Sequence, residues 1–317
     1  MATPKNKNAE HQNIFIVPNF YEKAKKLRGQ FDSTFQDPKE PNQERFLWDY
    51  WHVPGQYTML RTPAYNFFQE ELYIPLHEKI MQWGQEYLGC NEISPTWMSC
   101  YIDGCQQEIH ADIPHGPWAF VYSLTPWETR KFTGGETFLA SEHLTDYWRT
   151  FQNRSTLESH HAFELIEPKF NQLTVFDPRI PHGVKTVRGT HDVSQGRLVI
   201  HGWFLNPRPI VKGPLSTKEL YNCIEDLGQG IADSGIIQSG AFGMMSFRIQ
   251  VSAKGQVEKV KLLINNLRLP LTTDLSHAHP MRTIEKSMIS FMKKWRFSPR
   301  KTGSMVTLPI QFDAQIN

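Results

Sequence analysis

Over residues 93–205 the chain breaks into short β-like runs, and this texture constrains the fold more than any other feature. TWMSCYI, WAFVYSL, ETFLA, FELIEP, NQLTVF, HGVKTV and RLVIHGWF are separated by the turn signals DG, GG, DPR and RG. Upstream, an apolar stretch, NIFIVPNF, leads into a predicted helix over residues 21–31. Residues 64–88 predict a long helix broken near Pro75, with Phe67, Leu72, Ile80, Trp83 and Leu88 as its buried stripe. A short helix over residues 141–151 is expected to interrupt the strands. Many short strands after helices predict a mainly β fold with flanking helices, a sandwich or barrel.

Residues 206–239 are punctuated by Pro and Gly, with one helical patch at 217–227, and read as a linker. A strand at 244–252, a turn at Lys254-Gly255, a strand at 257–264, a helix at 281–295 and a strand at 305–312 then make a small α+β domain of order β-β-α-β. The expected division is a first domain at 1–210, a linker at 211–240 and an accessory domain at 241–317. Charge follows the same division. Residues 241–317 carry 12 Lys/Arg against 4 Asp/Glu, whereas residues 1–240 carry 22 against 28.

Composition excludes several classes. Twenty Phe, 9 Trp and 10 Tyr supply ample core, which excludes disorder. No run approaches the ~18 apolar residues of a membrane span, and the first residues lack the apolar region of a secretory leader. Cys90, Cys100, Cys105 and Cys223 are too irregularly spaced for a disulfide framework or a zinc ribbon. They read as free thiols in a reducing cytoplasm.

The chemistry concentrates on His110-Ala111-Asp112, with His182 far downstream. In a strand, residues i and i+2 face the same side, so His110 and Asp112 reach one metal together. Two imidazoles and one carboxylate on one face of an octahedron leave three positions open, the ligand pattern of non-haem Fe(II) oxygenases. Those positions suit a bidentate 2-oxoacid and dioxygen. An H-x-D triplet alone is unspecific, but its context is not. Gly134-Gly135-Glu136-Thr137 lies between the two metal segments, and Val175-Phe176-Asp177-Pro178-Arg179 turns directly into His182. Arg197 sits in an otherwise apolar final strand and demands an anion, either a protein carboxylate or the distal carboxylate of 2-oxoglutarate. Arg188 is a rival, but its turn-like RGTHD surroundings predict a solvated side chain.

The segments EIHAD, GGETFL, FDPRIPHGV and GRLVIHGWF resemble the Fe(II)/2-oxoglutarate-dependent oxygenases of the prolyl-hydroxylase-like branch, over roughly residues 13–207. The resemblance implies a double-stranded β-helix, or jelly roll, with metal and cosubstrate inside one end of the barrel. It implies His110, Asp112 and His182 as iron ligands, Arg197 as the cosubstrate clamp and Tyr101 as a cosubstrate contact. The implied cofactor set is Fe(II), 2-oxoglutarate and dioxygen. Related halogenases have a small residue where Asp112 stands, so halogenation is not expected. Two departures stand out: a long interval from His182 to Arg197, and Val199 where some relatives have Ser. The motif IPHG occurs at both 113–116 and 180–183. His115, three residues past Asp112, reads as a substrate contact rather than a ligand, and Trp118 is a second candidate substrate contact. Arg197, Val199, His201 and Trp203 share one strand face, with His201 and Trp203 as candidate supports of the site.

The segments FRIQV, GQVEKVKL, WRFSP and VTLPIQF resemble the C-terminal domain of TonB-type energy transducers. No anchor or Pro-rich spacer precedes them, so a module for homodimerisation or docking is expected. Lys293, Lys294, Arg296, Arg300 and Lys301 cluster at the end of its helix as a solvated basic face, without a nucleic-acid motif. The functional expectation is a cytoplasmic enzyme that oxidises an unactivated C–H bond of a small molecule. An amino acid or natural-product intermediate would be hydroxylated, desaturated or cyclised. The alternatives are a peptidyl hydroxylase recruited through the basic domain and a non-catalytic binding module.

Overall fold

A computed structural model of the chain describes residues 13–312 apart from 38, 41–42, 113–114, 142–143, 145–161, 234–239 and 269–279. The helix expected at 141–151 therefore lies largely outside the described residues. The strands are β1 (Ile14–Val17), β2 (Asp49–Val53), β3 (Tyr57–Pro63), β4 (Cys90–Ile93), β5 (Trp97–Tyr101), β6 (Gln106–His110), β7 (Trp118–Ser123), β8 (Thr137–Ala140), β9 (Phe163–Ile166), β10 (Gln172–Phe176), β11 (His182–Val184), β12 (Arg197–Pro207), β13 (Ile210–Lys212), β14 (Gly243–Val251), β15 (Val257–Asn265) and β16 (Ser304–Phe312). The helices are α1 (Ala24–Phe35), α2 (Ala64–Phe67), α3 (Glu70–Tyr87), α4 (Thr217–Asp233) and α5 (Pro280–Met292).

The chain divides into two compact units. The first is built mainly from Ile14–Ile80 and Ile93–Leu205, the second mainly from Met81–Glu92 and Asn206–Asn317. Among the described residues one sheet runs β1-β10-β7-β12-β5-β3-β6-β11-β8-β9, with β2 on β3 and β4 on β12. The pairings along this path are antiparallel, and the sheet curls so that β3, β5, β6, β7, β11 and β12 all contribute to the wall of one cavity. This is the expected mainly β, jelly-roll architecture with few helices. Helix α1 closes on it through Ala24, Leu27, Phe31 and Thr34, an i, i+3, i+7, i+10 stripe of buried residues.

Two differences from expectation have local causes. The helix break lies at Phe68, where extended backbone (φ −85°, ψ 147°) separates α2 from α3. Pro75 stays inside α3. The hairpin β2–β3 falls in a stretch not expected to form strands. Its alternation, DYWHV then YTMLR around a Gly55 turn at φ 71°, is the signal that marks it.

The second unit has a separate sheet of order β13-β16-β14-β15. Its strands and helix match the predicted β-β-α-β order, with the turn at Gly255 in the left-handed region at φ 78°. A Cβ there would meet the Phe297 carbonyl oxygen at 1.8 Å, so glycine is required. Of residues 211–240, expected as a linker, 211–233 are instead built into this unit. Strand β13 pairs with β16, and α4 places Leu220, Leu227 and Ile231 in the apolar core, against which Ile224 also packs. That i, i+4, i+7, i+11 spacing buries one helix face. The boundaries expected at 210 and 240 do not coincide with the two units.

Candidate active site

Register brings the ends of the chemistry together. His182 on β11 is the direct cross-strand partner of His110 on β6. Strand β6 ends at His110, so Asp112 does not occupy the strand position expected from its i+2 spacing. It follows the strand, where its N–H donates to the Pro178 carbonyl at 2.9 Å. The result is still convergent. His110 Nε2 lies 3.4 Å from Asp112 Oδ1, and His182 Nε2 lies 3.5 Å from Asp112 Oδ2. One ligand atom from each of the three residues falls within 4.8 Å of the others.

The backbone sets which imidazole nitrogen faces inward. His110 Nδ1 meets the Glu108 carbonyl at 2.8 Å, and His182 Nδ1 meets the Ile180 carbonyl at 2.8 Å. A carbonyl only accepts, so each Nδ1 carries a proton and each Nε2 faces Asp112, donating to the carboxylate when the imidazole is protonated and offering its lone pair to a metal when it is neutral. The Trp203 indole N–H donates to Asp112 Oδ2 at 3.2 Å, orienting the carboxylate. Burial raises the Asp112 pKa, but hydrogen bonds from His110 and His182 outweigh it, and the carboxylate is held well below its usual range. Burial lowers the His110 pKa, yet Asp112 and the Glu108 carbonyl bring it above its ordinary value. The site is thus arranged for positive charge beside an ionised carboxylate, and a divalent cation satisfies it in place of protons.

The cavity beside these three groups has a volume of about 590 Å³. Tyr57, Met59 and Arg61 line it from β3, Trp97 and Tyr101 from β5, and Arg197, Val199, His201 and Trp203 from β12. The shared face expected of β12 is therefore a cavity wall. Arg197 is 1% exposed. Its Nη2 donates to Thr137 Oγ1 at 3.0 Å, while Nε and Nη1 have no hydrogen-bond partner among the described residues. Tyr101 is the cross-strand partner of Arg197, and the guanidinium carbon lies 4.7 Å from its ring centroid. Burial holds the Arg197 pKa below its ordinary value and raises that of Tyr101.

Gly135, at φ 80°, lets β8 approach this guanidinium, because a Cβ there would lie 3.3 Å from Arg197 Cδ. Gly134, at φ 76°, has no room at all, with the Thr186 carbonyl oxygen 1.9 Å from its ideal Cβ. These contacts explain the GGET motif and reveal Thr137 as a site residue. His201 Nε2 is 2.8 Å from Ser99 Oγ. Burial and then the Arg197 charge push the His201 pKa down to about 4, so this imidazole is neutral near pH 7.

The remaining expected residues separate. His115 is exposed, lines the cavity and stacks on Trp203 with ring centroids 4.6 Å apart. Trp118 is not a cavity residue. It is 0% exposed and packs on Phe15 at 5.6 Å, because Ala119 and Val121 hold the inward positions of β7. Arg188 is exposed and bridges Thr133 through its backbone, away from the cavity lining.

Residues 96–205 match the sequence model of the 2OG-Fe(II) oxygenase superfamily. They form a 2OG-Fe(II) oxygenase domain. Enzymes of this family use Fe(II), 2-oxoglutarate and dioxygen. Among solved structures, the chain is similar to a Pseudomonas putida prolyl-4-hydroxylase at 14% identity and a TM-score of 0.40, covering 62% of this chain and 94% of that one. It is similar to the non-haem α-ketoglutarate-dependent epimerase SnoN of nogalamycin biosynthesis at 13% identity and a TM-score of 0.40, covering 60% and 75%. An oxidoreductase of the 2OG-Fe(II) oxygenase family from Burkholderia pseudomallei has 14% identity and a TM-score of 0.39, covering 60% and 84%. No curated protein matches the chain. Among the described residues of this oxygenase, no helix is long and apolar enough to cross a membrane.

The residues present fit the family's metal and cosubstrate. Two histidines and one aspartate with converging ligand atoms suit Fe(II). The unpartnered edge of Arg197, buried beside Tyr101 and Thr137, fits a carboxylate.

Proposed function

We propose that His110, Asp112 and His182 hold Fe(II), and that Arg197, with Tyr101 and Thr137, holds the distal carboxylate of 2-oxoglutarate. The observation that carries this reading is one cavity lined by both groups: a His-Asp-His cluster and a buried guanidinium with two unpartnered nitrogens. When bound, iron and cosubstrate supply oxidative decarboxylation with dioxygen, giving succinate, carbon dioxide and oxidation of a C–H bond. The chain's own residues do the positioning. The Glu108 and Ile180 carbonyls fix the two imidazole tautomers, and the Trp203 N–H fixes the carboxylate. Neutral His201 and aromatic Trp97 and Trp203 form the wall against which substrate is held. The substrate is a small molecule, an amino acid or natural-product intermediate, for which a cavity of this size is suited. The test is succinate release with anaerobic spectroscopy. Fe(II) plus 2-oxoglutarate gives a weak visible charge-transfer band in wild type and none in His182→Ala. A wild-type band in His182→Ala excludes the ligand set.

For the second unit we propose a TonB-C-like module that joins two copies of the chain, with no direct part in the chemistry. Its resemblance segments and its excess of basic residues support this reading. A reducing, cytoplasmic setting suits the four free thiols. Light scattering distinguishes a dimer from a monomer. Recruitment of an acidic peptide instead would appear as peptide-stimulated succinate release.

A further inference from the structure

The cavity holds a second guanidinium, and its surroundings differ from those of Arg197. Arg61 shares the inward face of β3 with Tyr57 and Met59. Its guanidinium carbon lies 3.2 Å from the ring centroid of Trp51 on β2 and 4.3 Å from that of Trp97 on β5. Indole faces hold a planar cation through its π-surface and leave its in-plane N–H groups free. Arg61 Nε is buried without a hydrogen bond, and Arg61 forms no ion pair among the described residues. Asp49, directly opposite on β2, favours the Arg61 charge without forming an ion pair with it. Burial holds the Arg61 pKa below its ordinary value, which marks the cost of this placement. A guanidinium whose Nε is buried without a partner is stable where an anion completes its hydrogen bonds.

That anion differs from the cosubstrate carboxylate if Arg197, the more buried of the two cations, serves the cosubstrate. A single planar fork between aromatic walls suits a monoanion. A phosphate monoester needs further donors, and among the described residues no lysine lines the cavity. We infer that Arg61 is a substrate-binding residue that grips a carboxylate, so the substrate is a carboxylic acid with an apolar body lying along Trp97 and Trp203. This inference rests on the proposed Fe(II)/2-oxoglutarate assignment of the cavity.

The test uses the full chain loaded with Mn(II) and saturating 2-oxoglutarate, titrated with phenylacetate and with its neutral isostere phenylacetamide, read by calorimetry and tryptophan fluorescence. Phenylacetate should saturate at millimolar concentration, and phenylacetamide should bind at least ~10-fold more weakly. Arg61→Gln should lose that preference, and Arg61→Lys should recover part of it. In Arg61→Gln the 2-oxoglutarate affinity should stay within about twofold of wild type, whereas in Arg197→Gln it should fall by at least ~10-fold. Equal binding of acid and amide by wild type, absence of saturable acid binding up to ~50 mM, or tighter binding of phenyl phosphate overturns the inference. So does a loss of 2-oxoglutarate affinity in Arg61→Gln. If wild type binds no 2-oxoglutarate, the assignment of the cavity itself fails. If cosubstrate binds normally and acid and amide do not differ, only the role of Arg61 fails.

Discussion

The two units bury different kinds of side chain. Among the described residues, the buried acid, imidazole and guanidinium groups are Asp177, His182 and Arg197, all in the first unit. Among its described residues the second unit buries only neutral polar groups, among them Ser246, Asn265, Asn266 and Thr307, beside a core that includes Phe247, Met288, Met292 and Trp295. Burying a charge costs several kcal/mol unless it is paired and hydrogen-bonded. Asp177 meets that demand through the Arg179 guanidinium, with Nε at 2.9 Å, and His182 through a backbone carbonyl. Arg197 meets it only in part. The first unit carries an electrostatic cost at Arg197 that the apolar core of the second does not.

Six substitutions break or sharpen this contrast. The largest effect is expected from His182→Ala, which should reduce iron-dependent succinate release to background while the thermal midpoint changes little. His115→Ala should retain iron, separating the two IPHG copies. Next, Phe247→Ala in the second unit should cost about 3–5 kcal/mol of stability, measured by denaturant unfolding. The 2-oxoglutarate affinity of its folded fraction should be unchanged. A loss of cosubstrate affinity there would erase the division of labour.

Arg197→Lys keeps the charge but loses the planar fork. Its apparent 2-oxoglutarate affinity should fall by ~10-fold or more, the scale of a charged hydrogen bond. Arg188→Ala should leave it within about twofold, since an exposed cation contributes little. The smallest effect concerns His201. Its folded pKa, about 4, lies below the ordinary histidine value, so the unfolded chain binds the extra proton first. Its contribution to stability is complete above the unfolded pKa and is lost as pH falls from ~6.5 toward 4. His201→Gln should flatten that part of the stability–pH profile by up to about 2 kcal/mol, read as the difference from wild type.

How much was legible in the chain differs by element. The β texture, the buried arginine of the last strand and the β-β-α-β order of the second unit are local patterns, and the structure shows them; it also brings His110, Asp112 and His182 together. The hairpin β2–β3 carried an alternating signal that was not recognised, and with it Met59 and Arg61 were missed. Trp118 was placed on the wrong side because a strand's period of two tells which residues share a face, not which face is inside.

By itself the sequence determined the chemical inventory: two imidazoles and a carboxylate, a cation in an apolar strand, and glycines able to adopt φ 76° and 80° at Gly134 and Gly135. These follow from side-chain chemistry and backbone sterics, which act within a few residues. Tertiary structure decided which groups meet. His182 pairs with His110 across 72 positions of sequence, Arg197 with Tyr101, and Trp51 and Trp97 enclose Arg61. The physical reason is that cross-strand register depends on burial of the whole sheet face: a slip of one residue would turn each of these side chains away from the cavity.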